Sequence, residues 1–206
     1  MAKRSREYHF SMRHPLHQKL AQKELILASA SPRRQALMQE LGFSITVDPR
    51  PVEETYPESL QAAEIAEFLS QLKAGPFNPT PDQIVITSDT VVWHNGQSLA
   101  KAQDEKEARR MLQALSGDWH EVITGLCITT ANGQLVSSET THVKFSELTE
   151  EEIGYYLSAY KPYDKAGAYG IQEWIGMIGI EKIEGSYFNV VGLPVRLLYR
   201  QLEALL

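Results

Sequence analysis

Residues 25–34 read Leu-Ile-Leu-Ala-Ser-Ala-Ser-Pro-Arg-Arg. The apolar run over 25–29 ends in turn-forming residues, which predicts a short buried strand. Ser31 then offers an N-cap oxygen and Pro32 the favoured first residue of a helix. The helix is expected over 33–41, burying Leu37, Met38 and Leu41, with Gly42 as its stop. A buried strand that turns directly into a helix predicts an α/β fold. The same turn exposes helix N-terminal N–H groups, which favour an anion beside Arg33 and Arg34. Taken alone, the segment also reads as an ordinary capped helix with two solvated arginines.

Downstream, a second strand is expected over 43–48, followed by a proline-punctuated acidic loop over 49–57. Ser59 opens a helix in which Ile65, Phe68, Leu69 and Leu72 fall on one face, ending at Gly75. Residues 83–88 predict another buried strand with Asp89 at its carboxyl end. Asn95-Gly96 marks a hairpin between 91–94 and 97–100. Asp104 and Glu107 predict a capping box, with Ala108, Met111, Leu112 and Leu115 as the buried stripe. Two long strands flank Asn132-Gly133, and Thr149 with Glu152 caps a helix running to about Ala159. The stretch 161–172 reads as irregular, further strands run through Val190-Val191, and Pro194 opens a last helix. Hairpins interrupt the strand–helix alternation, so the expected fold class is α/β with a mixed twisted sheet and flanking helices.

The chain has 206 residues, 43% of them apolar, enough for one sizeable core. Its net charge of -6 argues against sequence-independent nucleic-acid binding, which needs a basic excess. Cys127 is the single cysteine, which excludes an internal disulfide and a cysteine-based zinc cluster. No run approaches the ~18 apolar residues of a membrane span. Six basic side chains over residues 1–24, Lys3 to Lys23, predict a basic N-terminal extension, either anion-seeking or simply solvated. A cytoplasmic location without membrane attachment is expected.

Several segments carry candidate chemistry. Asp89, at a strand end, suits a general base or a hard-cation ligand; a turn aspartate bonding its own backbone looks the same in sequence. Glu53-Glu54 lies in the acidic loop, Lys73 at a helix end and Lys101 after the hairpin, each also readable as a solvated surface charge. In Asp164-Lys165-Ala166-Gly167-Ala168-Tyr169-Gly170-Ile171-Gln172, small residues permit close backbone approach to a ligand. Gln172 adds a donor and an acceptor suited to a base edge. No Walker loop, dinucleotide glycine pattern or nucleophile elbow is present.

Taken in order, the LILASASPRR, Glu53-Glu54, Lys73-Ala74, Ser88-Asp89-Thr90, Lys101, Leu115-Ser116-Gly117 to His120, and DKAGAYGIQ segments resemble the Maf family of nucleoside triphosphate pyrophosphatases, over residues 25–206. The resemblance implies two lobes around a cleft, a fold similar to inosine-triphosphate pyrophosphatases, and a homodimer. It implies hydrolysis of a nucleoside triphosphate to monophosphate and pyrophosphate with a divalent cation, Mg2+ or Mn2+. Asp89 matches the family's general base; Ser31, Arg33, Arg34, Lys73 and Lys101 match its substrate-binding residues. Its metal-binding acids match Asp89 and Glu54, with Glu53 as rival. Arg33, Thr90 and Gln172 match the positions tied to substrate choice. The DKAGAYGIQ version is similar to the subgroup acting on dTTP and UTP. A non-catalytic nucleotide-binding regulator and a family member acting on modified purine nucleotides are the competing readings. Lys101 is followed by Ala102 where the family usually has proline.

Overall fold

A computed structural model describes residues 14–206. The opening segment behaves as its sequence directs. Strand β1 (Glu24–Leu27) buries Leu25, Ile26 and Leu27, and helix α2 (Pro32–Glu40) starts at Ser31, whose side chain accepts a hydrogen bond from Arg34 N–H. In α2 only Met38 is fully buried; Leu37 and Leu41 pack against the core while partly exposed.

β1 pairs in parallel with β2 (Thr46–Val47) on one edge and with β3 (Gln83–His94) on the other. From β3 onward the sheet is antiparallel: β5 (Trp119–Thr130), β6 (Gly133–Phe145) and β7 (Ile180–Glu184) follow in that order, and the short β4 (Gln97–Ser98) closes a hairpin on β3. The α/β mixed sheet is therefore observed. Both Asn-Gly turns fall where expected, between β3 and β4 and between β5 and β6.

Helix α3 (Ala63–Ala74) covers one face of the sheet through Ile65, Ala66 and Leu69 against Val91 and Ile123. The other face carries two separate cores. In the first, α2, α8 (Val195–Leu205) and the small helix α1 (Pro15–Leu20) pack on Leu25, Leu27, Ile84, Ile86, Leu126 and Ile128. In the second, α4 (Glu105–Leu115), α5 (Glu150–Tyr160) and the short α6 (Trp174–Gly179) pack on Val92, Val122, Val143 and Phe145. These two cores are the two lobes, and α5 begins with a complete capping box between Thr149 and Glu152.

Four expectations need correction. The second strand shrinks to Thr46–Val47, because β1 offers it only Ile26 and Leu27 as partners. The long helix begins at Ala63, after Ala62 at positive φ, rather than at Ser59. Val190-Val191 is helical, closing α7 (Tyr187–Val191): Ser186 caps Asn189 N–H, and that local bond overrides the β-preference of paired valines. Asp89 lies in mid-strand, because β5 pairs continuously with Val85 through Trp93.

Of the basic extension, residues 1–13 lie outside the described residues. Its remainder is tied down: Leu16 and Leu20, one turn apart, are buried in the first lobe. Among the described residues no helix is long and apolar enough to cross a membrane.

Candidate active site

A mid-strand aspartate lines a cleft here because one edge of β3 is left open. β1 pairs with β3 only as far as Leu27 opposite Ile86, and β4 takes over at Trp93. Over the residues between, the edge of β3 opens between the two lobes. Side chains alternate along a strand, so Asp89 turns toward α3 while Thr90 turns toward α2 and α7. The cleft therefore has two chemically different sides.

On the α3 side, Lys73 Nζ donates to Asp89 Oδ1 at 2.5 Å and lies 3.2 Å from Glu54 Oε1. Only 15% of the Lys73 side chain and 12% of Asp89 are exposed, so this ion pair is shielded from solvent. Asp89 Oδ2 has no hydrogen-bond partner among the described residues. Glu53 makes no ion pair there, which separates it from Glu54. The two carboxylates converge on one cationic position, and no group of three or more His, Cys, Asp or Glu forms a self-sufficient metal cage among the described residues. That donor set fits Mg2+, which binds through one or two carboxylates and takes its remaining ligands from phosphate and water.

On the α2 side, Arg34 spends most, but not all, of its five N–H donors on the protein. Its Nε donates to Gly192 O at 2.7 Å, one terminal nitrogen to Ser88 O at 2.8 Å, and the other to Thr90 Oγ1 at 3.1 Å. Ser88 O is a carbonyl on the open edge of β3, so the guanidinium replaces a missing strand. Burial lowers the Arg34 pKa, opposed chiefly by Asp89.

Arg33, by contrast, reaches outward, 3.6 Å from Asp164 Oδ2. Asp164 accepts from Lys165 at 2.8 Å, and Lys165 lies 3.1 Å from Glu173 Oε1. Partial burial works to raise the Asp164 pKa, yet Lys165 and Arg33 together bring it below the ordinary carboxylate value. Tyr156 donates to Glu173 and accepts from Gly170 N–H, fixing the glycine-rich segment.

Ser31, Arg33, Arg34 and Lys101 line the cleft with Lys73, Asp89, Thr90 and Gln172. Glu54 joins them through Lys73. The residues singled out in the sequence, Glu53 excepted, are thus brought together. Lys101 is exposed and anchored by a bridge to Ala166. Gln172 is exposed, with no hydrogen-bond partner among the described residues. Beyond the charged part, Val92, Val122, Val190 and Val191 give the cleft an apolar end. Tyr169 also lines it, its hydroxyl 2.7 Å from His120 Nε2. Burial depresses His120 to a pKa of about 3, so it is neutral at physiological pH.

The Maf-like protein family matches residues 24–205. The chain belongs to this family. A relative from Christiangramia forsetii, named dTTP/UTP pyrophosphatase, is 52% identical over 193 residues, covering 93% of this chain and 98% of its own. Another of that name, from Phocaeicola vulgatus, is 51% identical over 185 residues, covering 88% and 96%. Among solved structures, the Staphylococcus aureus Ham1 protein aligns with a TM-score of 0.49 at 18% identity, covering 88% of this chain and 99% of its own.

For this Maf family chain, sequence reasoning missed several cleft residues. Asp164 and Lys165 open the 164–172 segment, where a lysine just ahead of a glycine-rich run is a usable signal. Thr124, Asn189 and Gly192 carried none, since they approach Thr90 and Arg34 only through the folded sheet.

Proposed function

We propose that the chain hydrolyses nucleoside triphosphates, dTTP and UTP foremost, to the monophosphate and pyrophosphate. The observation that carries this reading is the juxtaposition, in one cleft, of paired carboxylates, several cations and an uncharged, apolar-walled end. A triphosphate carries roughly four negative charges, and an acidic protein must gather cations locally to hold it. Arg33, Lys101 and Lys165 supply that field along one wall, and Lys73 supplies it beside Asp89. The valine-lined end suits a base and sugar.

In this reading Asp89 Oδ2, free of protein partners, takes a proton from the attacking water. The water oxygen bonds to the α-phosphorus, the bridging bond to the β-phosphate breaks, and pyrophosphate leaves. Arg33 and the lysines stabilise the charge that collects on that leaving group. Lys73 orients Asp89, and Arg34 braces the open edge of β3 through Ser88 O. A divalent cation, Mg2+ or Mn2+, would be held by Glu54 and Asp89 and would neutralise phosphate charge. The same reading carries a homodimer, which light scattering on the purified protein checks.

The deciding experiment supplies UTP or dTTP with Mg2+ or Mn2+ and identifies the products. Monophosphate and pyrophosphate are expected. Single-phosphate release with accumulating diphosphate would overturn the assignment, and binding without turnover would leave a nucleotide-binding regulator.

A further inference from the structure

Thr90 stands on the α2 side of the cleft, beside Arg34, on the same sheet face as Val92 and Val122. Its hydroxyl oxygen accepts from Arg34 at 3.1 Å and lies 3.0 Å from Thr124 Oγ1. Thr124 Oγ1 in turn lies 2.9 Å from the backbone carbonyl of Asn189, within a buried contact. A carbonyl cannot donate, so the proton between Thr124 and Asn189 comes from Thr124. Thr124 then has none left for Thr90, and the proton between the two threonines is that of Thr90. The hydrogen bonds run one way: Arg34 to Thr90, Thr90 to Thr124, Thr124 to Asn189. Asn189 is itself immobilised, its side-chain amide donating to Val122 O at 2.9 Å and Thr141 Oγ1 at 3.0 Å.

A threonine hydroxyl has one proton and two lone pairs. Arg34 uses one lone pair and Thr124 receives the proton, so Thr90 retains one lone pair and no donor. We infer that Thr124 and the Asn189 carbonyl are positioning residues that make Thr90 an acceptor-only group toward the ligand, selecting a pyrimidine that presents a ring N–H. This rests on the proposed function and deepens it. Uracil and thymine carry a proton on N3; cytosine has a lone pair there and would meet the Thr90 lone pair head on. A buried polar site rejects such an analogue because its groups go unpaired. Gln172, exposed and untethered, can flip its amide to match either base, so the fixed polarity at Thr90 is what discriminates.

The test compares kcat/KM for UTP and CTP in the wild type, Thr124→Val and Thr124→Ser. Valine keeps the shape and removes the acceptor for the Thr90 proton, which becomes free to turn into the cleft. Asn189 O still accepts from Gly192 N–H, so no carbonyl is stranded. The UTP preference should fall about tenfold in Thr124→Val, the worth of one hydrogen bond made or left unpaired. It should be retained in Thr124→Ser, a rescue that loss of packing alone would not produce. Thr90→Val, less buried, should lose the preference to the same degree, and the double variant should lose no more. A wild type indifferent to the base, an unchanged or increased ratio in Thr124→Val, or no rescue by serine would overturn the inference. Equilibrium binding of UMP and CMP to the same proteins reads the preference without turnover. Absence of pyrophosphate release would therefore sink the proposed reaction while the monophosphate affinities still decide the role of Thr124.

Discussion

Gly125 lies directly opposite Asp89 on the β3–β5 ladder, and a Cβ there would sit 2.1 Å from the backbone carbonyl oxygen of Ala66. The missing side chain lets α3 rest its backbone on the sheet beside Asp89. Lys73 lies seven residues beyond Ala66, about two helical turns, and so arrives over the Asp89 carboxylate. Gly125→Ala must lift α3. It should cost at least about 1–3 kcal/mol, as overpacking does, and lower turnover by drawing Lys73 off Asp89. Denaturant unfolding and pyrophosphate release in parallel check this; unchanged values in both would show that α3 is not seated by Gly125.

Asp89→Asn keeps the shape of the side chain and its contact with Lys73, but not its ability to take a proton. Turnover should fall by ~10²–10⁴, the usual contribution of a general base, with KM for UTP little changed. A folded variant with near-normal turnover would remove Asp89 from that role.

Arg33 and Lys101 are the cleft cations least committed to the protein. Arg33→Ala and Lys101→Ala should each weaken triphosphate binding by about 1.5–3 kcal/mol, the range for hydrogen bonds to charged groups, while nucleoside binding stays nearly constant. Isothermal titration with a non-hydrolysable triphosphate analogue and with uridine distinguishes the two. Equal losses would place these side chains away from the phosphates.

His120 carries a pH prediction. Its folded-state pKa of about 3 is below the ordinary 6.5, through burial against Phe145 and Tyr169. The unfolded chain binds a proton below pH 6.5 that the folded chain refuses until about pH 3. The His120 contribution to stability is therefore fully present above pH 6.5 and declines as pH falls toward 3. Between pH 7 and 5 the loss should be about 2 kcal/mol from this group. Urea unfolding at the two pH values measures it. His120→Gln should flatten the dependence; an equally steep loss in the variant would assign it to other groups.

The neutral His120 also shows how a site feature stays hidden in sequence. Its placement in the stretch from Leu115 to His120 was visible, but its contact with Tyr169 joins residues 49 apart in the chain. The glycine-rich run reads as irregular in sequence and is so in the fold, because small residues and positive φ at Gly167 forbid a regular ladder.

Sequence by itself determined the strand-to-helix turn at Ser31-Pro32, both Asn-Gly hairpins, the capping box at Thr149 and Glu152, and the buried stripe of α4. Each is an interaction among residues a few positions apart, legible wherever the chain goes. Tertiary structure decided that Asp89 sits in mid-strand beside an open edge, that Arg34 donates to Gly192, Ser88 and Thr90, and that Val190-Val191 is helical. It also decided the direction of the Thr90 hydroxyl. These depend on groups up to 158 residues away, as Arg34 and Gly192 are. Hydrogen-bond direction and strand pairing are settled by which partner arrives, and only the closed sheet brings the partners together.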